Sequence, residues 1–434
     1  MAIISLVGIV AAVALFVYLA FKGFNLFFNA VAAVMVIIIA SQLPLLPTLK
    51  GPYMANLAGF LRGYLFLFVL SAVFGKVMED SGAVRKIALT LAGFTKKTTN
   101  QKFWTVMILP LFYFILSYVG ISGFVVVFTV VAIGRELFEE CDIPWIYYCY
   151  GSAGIYPAIV LGGSMQPTNV IVNEGFKLPL TSGFALSVIM VGVAFVTLAM
   201  ILKLDMTASQ KKQEGFLPTG EPIKKLQIAA PIPEADLPGL MSSAIPLLVP
   251  IIAIIALKAD VLVAMSSGIV LAFLLGRKNV KSLQVTLSAG IVASIVPVVN
   301  VAAAAGLAGI ISITPGYKII AAALAGLPPM FAGSGIIMMM SAVIGSSSSP
   351  IPAFLPYVVE RMGASGVSPD IGARLAVGSS FTYMTPHNPG VVNAVSLTRL
   401  PLTQAAWVYF KTTFFPGLFA FVVASALVLA GVFR

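Results

Sequence analysis

Apolar residues run through this chain in blocks of about twenty, the length that crosses the ~30 Å hydrocarbon core of a bilayer. Such blocks cover 2–21, 24–45, 56–79, 146–171 and 181–202, then 242–257, 259–276, 285–312, 370–394 and 404–432. Two more apolar stretches, 103–134 and 319–357, are too long for one span and too short for two. Gly120-Ile121-Ser122-Gly123 lies near the middle of the first. Gly333-Ser334-Gly335 lies near the middle of the second, which Pro328-Pro329 and Pro350 flank. Both stretches predict re-entrant hairpins whose tips sit at membrane depth, where irregular backbone is tolerated only when protein buries it. The pattern predicts an all-α polytopic membrane protein of about ten spans and two hairpins.

Only 203–241 is long and polar; it holds 10 charged residues and the Pro231-Ile232-Pro233 segment, and it predicts a solvated linker. On either side, 1–202 and 242–434 each read as three spans, a hairpin and two spans. Residues echo as well. Gln166-Pro167-Thr168-Asn169 matches Thr385-Pro386-His387-Asn388 at Pro and Asn. Leu178-Pro179-Leu180-Thr181 matches Leu400-Pro401-Leu402-Thr403 with three more intervening residues, and Asp80-Ser81-Gly82 weakly echoes Thr314-Pro315-Gly316. In the same order, these predict two repeats of inverted topology, the architecture of secondary transporters with sites at the midplane.

Composition agrees: 59% of residues are apolar, 9% are charged, and mean hydropathy is +1.04. A soluble domain carries about a quarter charged residues, so soluble, disordered and nucleic-acid-binding classes are excluded. The 38 Gly and 27 Pro predict repeatedly broken helices. The net charge of +11 reflects topology. With the N-terminus outside, inner loops hold 16 of the basic residues and outer segments six, which fits the positive-inside rule and a cytoplasmic linker. Residues 1–21 lack a basic flank, so they predict a retained first span. Cys141 and Cys149 match no metal or redox spacing and read as packing residues.

A proline inside a span frees a carbonyl and unwinds the helix locally. Unwound carbonyls can hold a cation, and half-helix N-termini and amides can hold a carboxylate. Candidate substrate contacts are therefore Gln166, Thr168, Asn169, Thr385, His387 and Asn388, joined by Ser122, Gly123, Gly333, Ser334 and Gly335 at the expected tips. Asn173, Asn393 and His387, the sole histidine, are the candidates for a coupling ion. The Ser346 to Ser349 run reads equally well as a turn at the end of a hairpin arm. Arg62, Lys76, Glu79, Asp80 and Arg374 lie near span ends, where snorkelling or local pairing, such as Asp370 with Arg374, accounts for them. A rival reading takes Gly120-Ile121-Ser122-Gly123 as the serine motif of a rhomboid-like intramembrane protease, but Gly363-Ala364-Ser365-Gly366 fits the same pattern in a loop. No enzyme, cofactor or metal is expected.

Phe74 to Ala83 resembles a conserved stretch of the gluconate permease (gluconate:proton symporter) family of the ion transporter superfamily. Gly333-Ser334-Gly335-Ile336 is similar to its hairpin segment and Pro386-His387 to its late motif. The resemblance implies a bacterial inner-membrane homodimer with elevator-type alternating access. It implies uptake of a sugar acid or related carboxylate, usually with protons, and a site lined by Ser122, Ser334, Thr168-Asn169 and His387-Asn388. Asn388 is followed by Pro389 where the family motif continues with Asp, and Gln166-Pro167-Thr168-Asn169 departs from the earlier family motif. Sodium coupling through hydroxyls and carbonyls therefore stays open.

Overall fold

The computed structural model describes residues 1–95, 98–121, 123–225 and 232–433, and every regular element among them is helical. Five helices are long and apolar enough to cross a bilayer: Ala2–Phe21, Leu45–Asp80, Phe184–Lys211, Leu283–Ile313 and Leu402–Leu429. Shorter apolar helices, among them Leu26–Ala40, Leu240–Ile255 and Val261–Gly276, accompany them.

The first part runs through Ala2–Phe21 and Leu26–Ala40 into a long helix, Met54–Asp80, and a short one, Ala83–Thr95. A hairpin of Gln101–Tyr118 and Gly123–Glu140 follows, then an interrupted helix from Trp145 to Gly175, then Phe184–Lys211. The second part runs through Leu240–Ile255 and Val261–Gly276 into long Leu283–Ile313 and short Pro315–Ala325. Its hairpin is Pro329–Ile344 with Ile351–Ala364, its interrupted helix runs from Pro369 to Thr398, and Leu402–Leu429 ends it.

Packing follows the same order. The two long helices lie against each other, and so do the two last helices. Ala2–Phe21 packs on Pro315–Ala325, and Leu240–Ile255 packs on Ala83–Thr95. Gly123–Glu140 meets Pro389–Thr398, and Ile351–Ala364 meets Pro167–Gly175. Each of these contacts maps onto its partner when the two parts are exchanged. The corners after the long helices match too: Ser81 Oγ donates to Met78 O at 2.9 Å and Thr314 Oγ1 to Ile311 O at 2.7 Å.

The second hairpin corrects the sequence expectation. Residues 319–357 are not one re-entrant unit, because Pro315–Ala325 is a separate short helix that stops before Pro328-Pro329. The hairpin occupies Pro329 to Ala364, and its turn is Gly345 to Pro350. Gly345 takes the left-handed conformation, φ +67°, that ends many helices, and Pro350 prevents the helix from resuming early. Gly333, Ser334 and Gly335 therefore sit mid-helix and not at a tip. Gly333 faces Arg361 and Met362 of the second arm, and Gly335 faces Leu324 of the short helix, as small residues do where helices pack closely.

Candidate functional site

Both interrupted helices unwind at matching places. The first is a 3-10 stretch, Trp145–Gly154, continued by Ile155–Val160; it breaks at 161–166 and resumes as Pro167–Gly175. The second is Pro369–Gly378 continued by the 3-10 turn Ser379–Tyr383; it breaks at 384–388 and resumes as Pro389–Thr398. Each restarts on a proline at the first helical position, where the missing N–H costs nothing.

This geometry changes the register in which the two interrupted helices correspond. Pro167 corresponds to Pro389, not to Pro386, and Gln166 to Asn388. Leu178 and Leu400 then both stand eleven residues past those prolines, so the three extra residues disappear. The hydrogen bonds agree. Gln166 Nε2 donates to Ser117 O at 2.7 Å beside the first hairpin's turn, and Asn388 Nδ2 donates to Gly345 O at 2.8 Å in the second's.

A cavity of about 140 Å³ lies where the breaks, the second hairpin's turn and the two long helices meet. One water needs only ~10–15 Å³ on this measure, so the cavity admits a small organic molecule. Gln166, Pro167 and Thr168 line it from the first break, and Asn388 to Val391 from the second. Ser346, Ser347 and Ser348 line it from the hairpin turn, while Phe68, Ser71 and Val301 close it from the long helices. No charged side chain lines it among the described residues. Its electrostatics come from helix N-termini, which carry roughly half a positive charge each.

Several polar ties frame the cavity. Thr168 Oγ1 donates to Ser347 Oγ at 2.8 Å and so links the first break to the second hairpin. Ser71 Oγ donates to Gly120 O, which fixes a long helix to the first hairpin's turn. Thr382 Oγ1 donates to Met338 O at 2.5 Å.

Of the expected site residues, Gln166, Thr168 and Asn388 are brought together on the cavity wall. Asn169 is fully buried one step behind: its Nδ2 donates to Ser164 O at 2.6 Å, and its Oδ1 accepts from Arg374 at 2.6 Å and from Asn173 at 2.8 Å. His387 Nε2 lies 3.2 Å from both Val343 O and Thr385 Oγ1, and its ring packs edge-on against Phe16. Asn393, on Pro389–Thr398, is not in the wall, nor are Thr385 and His387. Gly123 begins its helix, and Ser122 lies outside the described residues. Ser346, Ser347 and Ser348, from the run that reads equally well as a turn, supply one side of the cavity.

Arg374 is a further correction. It does not snorkel: it is fully buried, and its guanidinium donates to Val160 O at 2.8 Å and to Asn169 Oδ1 at 2.6 Å. It therefore ties together the two ends of the first break. A charge held at such depth in a membrane protein marks a functional region by default.

Asn388 also caps its own helix, its Oδ1 accepting from Gly390 N at 2.6 Å and Val391 N at 3.1 Å. Asn388→Ala is expected to destabilise the protein by about 1 kcal/mol through the lost cap. Transport should fall at least tenfold, because the tie to Gly345 is lost with it. Transport and melting temperature measured on the same preparation check this; unchanged transport would reduce the residue to a cap.

No family model matches the chain. It is 24% identical over 98% of its length to the uncharacterized transporter YxjC of Bacillus subtilis strain 168, covering 99% of that protein. Its fold is similar to that of the YdaH transporter of Alcanivorax borkumensis, with a TM-score of 0.52 and 14% identity over 87% of this chain and 88% of that one. The chain is a multi-pass membrane protein, all helical among the described residues, and its fold is similar to that of a solved transporter.

Proposed function

We propose that the chain is a secondary active transporter built from two inverted repeats, importing a small organic anion by cation symport with elevator-type alternating access. The observation that carries this reading is the cavity itself. Two helix N-termini and a serine-rich hairpin turn converge on it, and no acidic side chain opposes an anion there among the described residues. The matched order of helices and the exchange of contacts between the two parts support the repeat. The family resemblance supports a gluconate-like or related carboxylate, protons as the coupling ion, a homodimer, and an inner-membrane location with the N-terminus outside. The protease reading draws no support from His387, which among the described residues is engaged with Val343 and Gly345 of the second hairpin.

Labelled gluconate and a panel of other carboxylates, offered to proteoliposomes under an inward proton or an inward sodium gradient, test the proposal. Accumulation above equilibrium is expected in one arm only, naming the coupling ion. Equilibration without accumulation under both gradients would indicate a passive pore and sink the proposal.

A further inference from the structure

The two breaks correspond, yet only the first is held by a charge. Arg374 donates to an oxygen on each side of it, Val160 O at 2.8 Å and Asn169 Oδ1 at 2.6 Å. Asp370, one turn earlier on the same helix, makes no ion pair with Arg374, and no other carboxylate does among the described residues. The side chain's way in is reserved as well, since a Cβ on Gly183 would stand 2.2 Å from Arg374 Cγ. In the register set by Pro167 and Pro389, Arg374 corresponds to Ser152 and Asn169 to Val391. Ser152 donates locally to Cys149 O, and the second break is bridged by a neutral amide, Asn388 Nδ2, on Gly345 O and Tyr383 O.

The oxygens around the guanidinium are those a small cation takes. Val160 O ends the half-helix that runs from Trp145 to Val160, where the dipole leaves partial negative charge. Asn169 Oδ1 faces it from the resumed helix. Asn173 Nδ2 donates to that same Oδ1 at 2.8 Å, while the Oδ1 of Asn173 is buried with no partner among the described residues. Half-helix C-termini and unwound carbonyls at a midplane break coordinate the exchangeable ion in transporters of inverted repeats. A neutral donor, as at the second break, could tie two neutral oxygens together without the large cost of desolvating an ion. The first break therefore calls for a positive charge, and Arg374 supplies it.

Resting on the transport reading above, we infer that Arg374 is a fixed substitute for a coupling cation. Its guanidinium permanently fills a cation site between Val160 O and Asn169 Oδ1, and the exchangeable cation is left to the second break. The positive charge that favours an anion is then in place before any ion binds, and it stays with the protein throughout the cycle. Emptying the position uncovers a site that takes sodium.

The test is thermal melting of detergent-solubilised Arg374→Ala, which opens the position, beside wild type and Arg374→Met, in which it stays filled. Sodium chloride at about 100 mM, against choline chloride at equal ionic strength, is expected to raise the melting temperature of Arg374→Ala by about 3 °C more than that of the other two, as an ion bound only to the folded state does. Guanidinium chloride, too dilute to denature, should raise it as well and so report that the space is open. Arg374→Ser opens the same space and serves where Arg374→Ala is not recovered. In proteoliposomes, sodium on both sides should restore uptake by Arg374→Ala at least tenfold and leave Arg374→Met inactive. Sodium that acts on all three proteins alike, guanidinium that acts where sodium does not, no response to either, or stabilisation without restored uptake each overturn the inference. A wild type that accumulates no carboxylate under either gradient sinks the transport reading, and the melting comparison still decides the cation site.

Discussion

Arg374→Met is expected to abolish transport, by at least a hundredfold, while leaving a folded protein of nearly unchanged stability. The two effects separate because opposing terms cancel in one and not in the other. Removing the guanidinium forfeits two charge-assisted hydrogen bonds, to Val160 O and Asn169 Oδ1, each worth ~1.5–3 kcal/mol. It also removes the desolvation cost of a buried ion, several kcal/mol, and Met refills most of the volume. The fold therefore breaks about even. The site does not, since both ends of the first break lose the group that sets their separation, and about 3 kcal/mol of lost positioning is a hundredfold in rate. Arg374→Lys keeps the charge but reaches the two acceptors less well, and should recover part of the activity. Uptake within threefold of wild type in Arg374→Met would leave the arginine only a packing role.

Gly154→Ala should act in the opposite sense, on the fold first. A Cβ at position 154 would stand 1.9 Å from Pro110 O and 2.8 Å from Phe114 N, both backbone atoms of the first hairpin's arm. A side-chain tip could swing away, but backbone in a packed helix cannot without moving the arm. Overpacking of this kind costs more than about 3 kcal/mol, enough to displace the arm or prevent folding. Gly59→Ala is the matched control, with nothing within 4 Å of the added methyl and a helix interior that favours alanine. Thermal melts of the detergent-solubilised proteins should place Gly59→Ala at or above wild type, with Gly154→Ala far below it or not recovered. Equal melting of the two would mean that the close approach does not exist.

Much of this architecture is legible in the sequence because lipid simplifies the code: a span announces itself by apolar length alone, and a break by proline. Both broken spans are readable for that reason. The small motifs are not. Gly333-Ser334-Gly335 has one composition whether it forms a turn or a close helix contact, and only the position of its neighbours decides. The turn lies instead at Gly345 and the serines before Pro350, a helix-ending glycine followed by proline. Matching Pro167 to Pro386 by letters misses that Pro389, at the first position of the resumed helix, plays the equivalent role. Arg374 is beyond reach for another reason: its acceptors at 160 and 169 are some two hundred residues away in sequence, whereas Asp370 beside it offers an obvious local partner.

Three of the shorter helices have a consequence for the surrounding lipid. Leu26–Ala40 has 15 residues, and Leu240–Ile255 and Val261–Gly276 have 16 each. At 1.5 Å per residue these span about 22–24 Å, several ångströms less than the ~30 Å of an ordinary hydrocarbon core. Each presents exposed apolar side chains, Ile39, Ile252 and Val263 among them, as a lipid-facing helix does. A helix of fixed rise cannot stretch, so the bilayer beside each of them must thin or leave the helix ends immersed, at a fraction of a kcal/mol per ångström. In the proposed transport cycle, a thinned bilayer would leave the cargo a shorter barrier to cross.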